Sequence, residues 1–144
     1  MTKEDQLLKD FIKECEAGLN GSLLTVALFG SRAKQGYAKS YSDYDFLVVA
    51  KKLPSGRERD LLAIELKDKV ESKYFIPVQA HLVTYEELRR EPIYSLIYGV
   101  LTGYKVLYGR DTWDELLSYW TPIIKRNKPE LIDEVRTWQI AEMI

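Results

Sequence analysis

Apolar positions along the chain fall into helical stripes and short continuous runs. Leu7, Leu8, Phe11, Ile12 and Cys15 return at the spacing of one helix face, and Gly18 and Gly21 close that pattern. The run from Ser22 to Phe29 is short, rich in β-forming residues and bounded by glycines, which predicts a buried strand. A second apolar run, Phe46 to Ala50, follows the acidic pair Asp43 and Asp45. Pro54 and Ser55 open a helix, with Ser55 and Glu58 at capping-box spacing and Leu62, Leu66 and Val70 as its apolar stripe. Phe75 to Val83 predicts a third strand. Thr84 and Glu87 then form a second capping-box pattern that takes the chain straight into a short helix. Pro92 to Leu101 reads as helix and Tyr104 to Tyr108 as a short edge strand. Trp113, Leu116, Leu117 and Trp120 form a helix stripe ending near Pro122, and Leu131, Ile132, Val135 and Trp138 another after Pro129. Strands alternating with helices, then a helical tail, predict an α/β (α+β) core with C-terminal helices.

The chain has 144 residues, 46% of them hydrophobic and 30% charged, which suits one domain with a single core. Balanced charge (21 basic against 22 acidic residues) and 12% aromatics argue against disorder. No apolar run approaches the roughly 20 residues of a membrane span, and the first residues, Met-Thr-Lys-Glu-Asp, do not read as a signal peptide. A cytoplasmic protein is expected. The one cysteine, Cys15, excludes an intrachain disulfide and a multi-cysteine metal site, and on the first helix face it reads as a small hydrophobe. A net charge of −1 argues against a sequence-independent grip on duplex nucleic acid. The basic cluster Lys51, Lys52, Arg57 and Arg59 is diluted by Glu58, Asp60 and Glu65.

The chemistry concentrates between Leu28 and Phe46. Residues two apart on a strand project to the same side, so Asp43 and Asp45 at a strand entrance aim two carboxylates at one point. Mutually repelling carboxylates cost stability unless a cation neutralises them. Hard oxygen donors favour Mg²⁺ or Mn²⁺, and Mg²⁺ commonly takes one or two protein carboxylates together with substrate phosphates. Upstream, Gly30 and Ser31 form a turn where bare backbone and a hydroxyl can approach a phosphate. The segment is no Walker loop, because Gly36 is not followed by Lys and Ser or Thr. A Gly-Ser turn or an Asp-x-Asp alone is commonplace, whereas both together, each flanked by a β-rich run, are specific.

These residues, Phe29-Gly-Ser-Arg-Ala through Gly36 to Ser42-Asp-Tyr-Asp45, resemble the signature of the minimal nucleotidyltransferases of the DNA polymerase β superfamily. The resemblance extends to Leu82–Leu88 and Gly103–Tyr108. It implies a mixed β-sheet of three to five strands backed by helices, with a nucleotidyltransferase domain over 1–110 and a helical extension over 111–144 packed on it. It further implies that Gly30 and Ser31 hold the triphosphate of an NTP and that Asp43 and Asp45 bind the metal, Mg²⁺ or Mn²⁺. Arg32 and Lys34, in the same turn, are further candidates for phosphate contact, with solvated surface as the alternative. The family's third carboxylate falls where this chain has His81, and Gln79 and Val83 on the same strand face supply no acid in its place. His81 is then a metal ligand or catalytic base, a hydrogen-bonded residue in a site of reduced activity, or a strand residue in another register.

Two functions follow from the resemblance. One is an enzyme transferring a nucleoside monophosphate from a metal-bound NTP to a hydroxyl. The other is a nucleotide-binding, antitoxin-type partner of a small helical HEPN protein, with little or no catalysis. Trp113, Trp120 and Trp138 either close the core or form the interface with such a partner or with a second copy.

Overall fold

The order of elements follows from where the apolar stripes can be buried. The computed structural model describes residues 1–34 and 42–127. Helix α1 (Lys3–Leu19) starts on a capping box in which Thr2 accepts from the Asp5 amide, and it ends at Asn20 in the left-handed conformation. Strand β1 (Leu23–Phe29) leads into a 3₁₀ turn (Gly30–Ala33), and β2 (Tyr44–Ala50) returns antiparallel to β1. Helix α2 (Gly56–Tyr74) crosses over to β3 (Val78–Thr84), which lies parallel to β2. Two short helices, α3 (Tyr85–Leu88) and α4 (Ser95–Val100), precede β4 (Tyr104–Tyr108), which pairs antiparallel with the other edge of β1. Helix α5 (Arg110–Asn127) closes the described chain. The result is a mixed four-stranded sheet in the order β3-β2-β1-β4, within the expected range.

Alternation of side chains along each strand divides the core between the two faces of the sheet. Val26, Leu28, Phe46, Val48 and Leu82 pack against Leu7, Phe11 and Cys15 of α1 and Leu66 and Val70 of α2. Phe11 and Phe46 stack with ring centroids 3.9 Å apart. Ala27, Phe29, Leu47, Val49 and Val83 pack on the opposite side against Ile97, Trp113, Leu116 and Trp120. Burial pushes the Cys15 thiol up to about 12, so it behaves as the small hydrophobe its position implied.

One local expectation holds and three change. The Thr84–Glu87 capping box forms, and Arg59 grips both Glu87 carboxylate oxygens at 2.8 and 3.1 Å. The Ser55–Glu58 box does not: Ser55 is the N-cap but makes no side-chain cap bond, because Gly56 enters the helix at φ +58°, outside the geometry the first turn of a cap requires. The third strand begins at Val78 rather than Phe75, which instead ends α2 in the left-handed region with its amide donating to the Glu71 carbonyl at 2.8 Å. Helix α5 runs through Pro122 to Asn127. The proline costs about 3 kcal/mol in a helix interior. Continuing the helix buries Ile123 and Ile124, each worth about 1.5–3 kcal/mol, which covers that cost.

Trp113 and Trp120 are fully buried, and the Trp120 indole N–H donates to the Leu88 carbonyl at 3.0 Å. They close the core on the sheet's second face and are unavailable to a partner or a second copy. Trp138 and the helix expected after Pro129 lie outside the described residues. Among the described residues no helix is long and apolar enough to cross a membrane.

Candidate active site

The site forms at the end of the sheet where β1 finishes and β2 begins. Antiparallel pairing sets Phe29 opposite Asp45, so the turn that follows Phe29 rises directly beside the acidic pair. Gly30 has φ +76°, and a Cβ built there would stand 2.7 Å from Asp45 Oδ2. Any other residue would be strained in its backbone and would collide with the carboxylate. The bare Gly30 backbone and the Asp45 carboxylate are therefore neighbours, as a phosphate cradle next to a cation site requires. The first amides of the 3₁₀ turn have no intrahelical acceptor, while the Lys34 amide closes the turn on the Ser31 carbonyl at 3.3 Å.

Arg32 turns toward the start of β2. Its Nε donates to the Ser42 carbonyl at 3.1 Å, and its guanidinium lies 4.5 Å from the centre of the Tyr44 ring. It thus grips the residues on both sides of Asp43, a bracing role the sequence did not reveal. The stem of Lys34 lies against Gly103, at the foot of β4.

Asp43 immediately precedes β2 and Asp45 lies within it, so the two share a face by strand alternation. Burial holds the Asp45 carboxyl above the usual carboxylate range, and the Asp43 charge pushes it further up while His81 pulls it down. Two hard carboxylates, one of them costly to ionise without a neighbouring cation, fit Mg²⁺ or Mn²⁺. Among the described residues no cluster of three or more His, Cys, Asp or Glu side chains forms a ligand set.

His81 lies on Asp45's face of the sheet. Parallel pairing sets Gln79 beside Asp45 and His81 beside Leu47, so His81 is the next same-face neighbour along β3. Its ring centre is 5.5 Å from that of Phe29. Burial lowers its pKa against the upward pull of Asp45, so the imidazole is neutral at pH 7 and offers a lone pair. Gln79 is exposed and Val83 buried on the same face, and neither supplies an acid.

The family model described as a nucleotidyltransferase domain matches residues 8–107. Among curated proteins, the "Putative protein adenylyltransferase" of Methanocaldococcus jannaschii is 39% identical over 142 residues, covering 97% of this chain and 96% of that one. Three solved structures share the fold. A chain from a toxin–antitoxin crystal structure with AMP-PNP superposes with a TM-score of 0.59 at 24% identity, covering 89% of this chain and 97% of that one. A chain from the complex of a tri-AMPylated Shewanella oneidensis HEPN toxin with its MNT antitoxin gives 0.56 at 23% identity, covering 91% and 97%. The spectinomycin adenyltransferase of Enterococcus faecialis, solved with ATP and spectinomycin, gives 0.56 at 15% identity, covering 90% and 69%. The matched segment runs from α1 through β4 and contains both the glycine-serine turn and the acidic pair, and the chain accordingly belongs to the nucleotidyltransferase domain family.

Proposed function

We propose that this protein is a cytoplasmic adenylyltransferase that moves AMP from ATP, with Mg²⁺ or Mn²⁺, onto a hydroxyl of a protein side chain. The carrying observation is the approach of the Gly30 backbone to the Asp45 carboxylate, which supports reading the glycine-serine turn and the acidic pair as one site. The name of the Methanocaldococcus relative supports both AMP and a protein acceptor. In this reading residues 1–110 carry the chemistry, and 111–144 form a helical extension on the same domain.

Asp43 and Asp45 hold the divalent cation, which neutralises charge on the triphosphate when bound. Gly30 and Ser31 fix the phosphates, with Lys34 beside them, and Arg32 keeps the strand entrance, and with it Asp43, in place. The acceptor oxygen bonds to the α-phosphorus, the bond from that phosphorus to pyrophosphate breaks, and neutral His81 takes the acceptor's proton. Because His81 forms no three-ligand cluster with the aspartates, proton transfer suits it better than metal ligation.

Transfer of label from α-labelled ATP into protein, with release of pyrophosphate, tests the activity. The rate of the wild type should rise with pH through a value below the ordinary histidine value of 6.5. His81→Ala should slow transfer by roughly 10²–10⁴-fold while MgATP binding persists. An active His81→Ala enzyme with a flat profile between pH 5 and 7 would sink this assignment. Ser31→Ala should cost about 0.5–1.5 kcal/mol of MgATP binding, read by calorimetry, the worth of one hydrogen bond.

One observation favours the second reading, a nucleotide-binding partner of a HEPN-type protein with little turnover. The third acidic position of the family holds His81, and no acid among the described residues replaces it. On that reading His81→Asp raises transfer by restoring a carboxylate on the same face. On the first reading it does not.

A further inference from the structure

The turn joining α4 to β4 lies beside the phosphate turn, although nothing in its sequence carries chemistry. Its geometry is fixed by its own hydrogen bonds: the Gly103 amide donates to Val100 at 3.2 Å, and Thr102 donates through its amide and hydroxyl to Gly99 at 3.3 and 2.7 Å. At Gly103 this turn presents bare backbone to Lys34. A Cβ built there would stand 2.6 Å from Lys34 Cγ and 3.1 Å from its Cε. The close atom belongs to the root of the side chain, so a methyl group would force a new rotamer on the whole lysine rather than nudge its tip. Gly103 is not among the glycines held at positive φ, so its conformation is open to alanine. The three atoms nearest a side chain at 103 all belong to Lys34, so such a side chain displaces that lysine.

We propose that Gly103 is a positioning residue of the nucleotide site: by carrying no side chain it leaves the trough that holds the Lys34 stem, keeping the ammonium at the triphosphate. The inference rests on the nucleotide-binding reading above and extends the site to the α4–β4 turn. A lysine lying in a trough has fewer rotamers to lose on binding, so its contact with a phosphate costs less entropy.

The test is a double-mutant cycle on MgATP affinity, measured by calorimetry with the intact chain. Lys34→Ala should weaken binding by roughly ten-fold or more, the value of a hydrogen bond to a charged group. Gly103→Ala should approach the same loss, and the double variant should bind no worse than Lys34→Ala alone. Additive losses, or a Gly103→Ala protein that melts lower yet binds MgATP like the wild type, would overturn the proposal. If Gly103→Ala does not fold, the double variant should fold, because the contact is gone; a double variant that also fails overturns the trough. In the wild type, MgATP should protect the Lys34 amine from acylation and adenosine should not; equal labelling in both overturns the lysine's place at the phosphates. A wild type that binds no MgATP defeats the nucleotide reading and this inference together. A wild type that binds it, with an unaffected Gly103→Ala, defeats this inference alone.

Discussion

Replacing Asp43 and Asp45 together by asparagine is expected to abolish Mg²⁺-dependent ATP binding and AMP transfer while leaving the protein folded and slightly more stable. The loss follows from the proposed donor set: on that reading the two carboxylates are the hard anionic ligands, and among the described residues no third acid stands with them. The gain in stability follows from Asp45, whose carboxyl burial and the Asp43 charge hold above its ordinary value of 3.8. The folded state therefore binds that proton more tightly than the unfolded chain. The resulting penalty is absent below the unfolded value and grows as pH rises through the folded one, so it is fully present at neutral pH. Asparagine at 45 removes it. Thermal melts should show the wild type gaining stability on addition of Mg²⁺ with ATP, and the double variant starting higher but gaining nothing. A double variant that still binds MgATP would place the site elsewhere.

Gly30→Val should have the next largest effect, and unlike the aspartate changes it should damage both fold and binding. The left-handed backbone at φ +76° costs a residue with a side chain about 1–2 kcal/mol, and a β-branched one is among the least suited to it. The new Cβ would also meet Asp45 Oδ2 at 2.7 Å, pushing the carboxylate out of line with Asp43 or opening the turn. The variant should melt lower and bind no MgATP. Gly30→Ala should fall between it and the wild type, since it keeps the clash but lacks the branched side chain. Unchanged MgATP affinity in both would reduce the glycine to an ordinary turn residue.

Elements whose determinants are local were legible in the sequence. The stripes of α1 and α2 and the short apolar runs of β1 and β2 depend on residues a few positions apart. So does the Thr84–Glu87 capping box, and each appears in the structure. The sequence left the face of His81 open between two registers, and the parallel pairing of β2 and β3 sets it on the face of Asp45. Local reading failed where a neighbour changed the backbone. Gly56 at φ +58° denies Ser55 its capping bond, and Phe75 at φ +59° ends α2 where a strand was expected to start.

The rest belongs to tertiary structure, since it depends on which distant elements meet. Whether Trp113 and Trp120 close a core or face a partner cannot be settled by a helix stripe; packing under the second face of the sheet buries both completely. Pro122 reads as a stop until the burial of Ile123 and Ile124 makes continuing the helix favourable. Arg32 reads as one more cation in a phosphate turn, and only the return of β2 gives it Ser42 and Tyr44 to hold. The residue types of the candidate site, Gly30 with Ser31 and the two aspartates, were proposed from the sequence alone. Their convergence was decided by the antiparallel register of β1 and β2, which brings the Gly30 backbone to the Asp45 carboxylate, and by the return of β4, which brings Gly103 under Lys34. Contacts between residues so far apart along the chain leave no periodic trace in it, because they are made by strand pairing and not by local conformational preference.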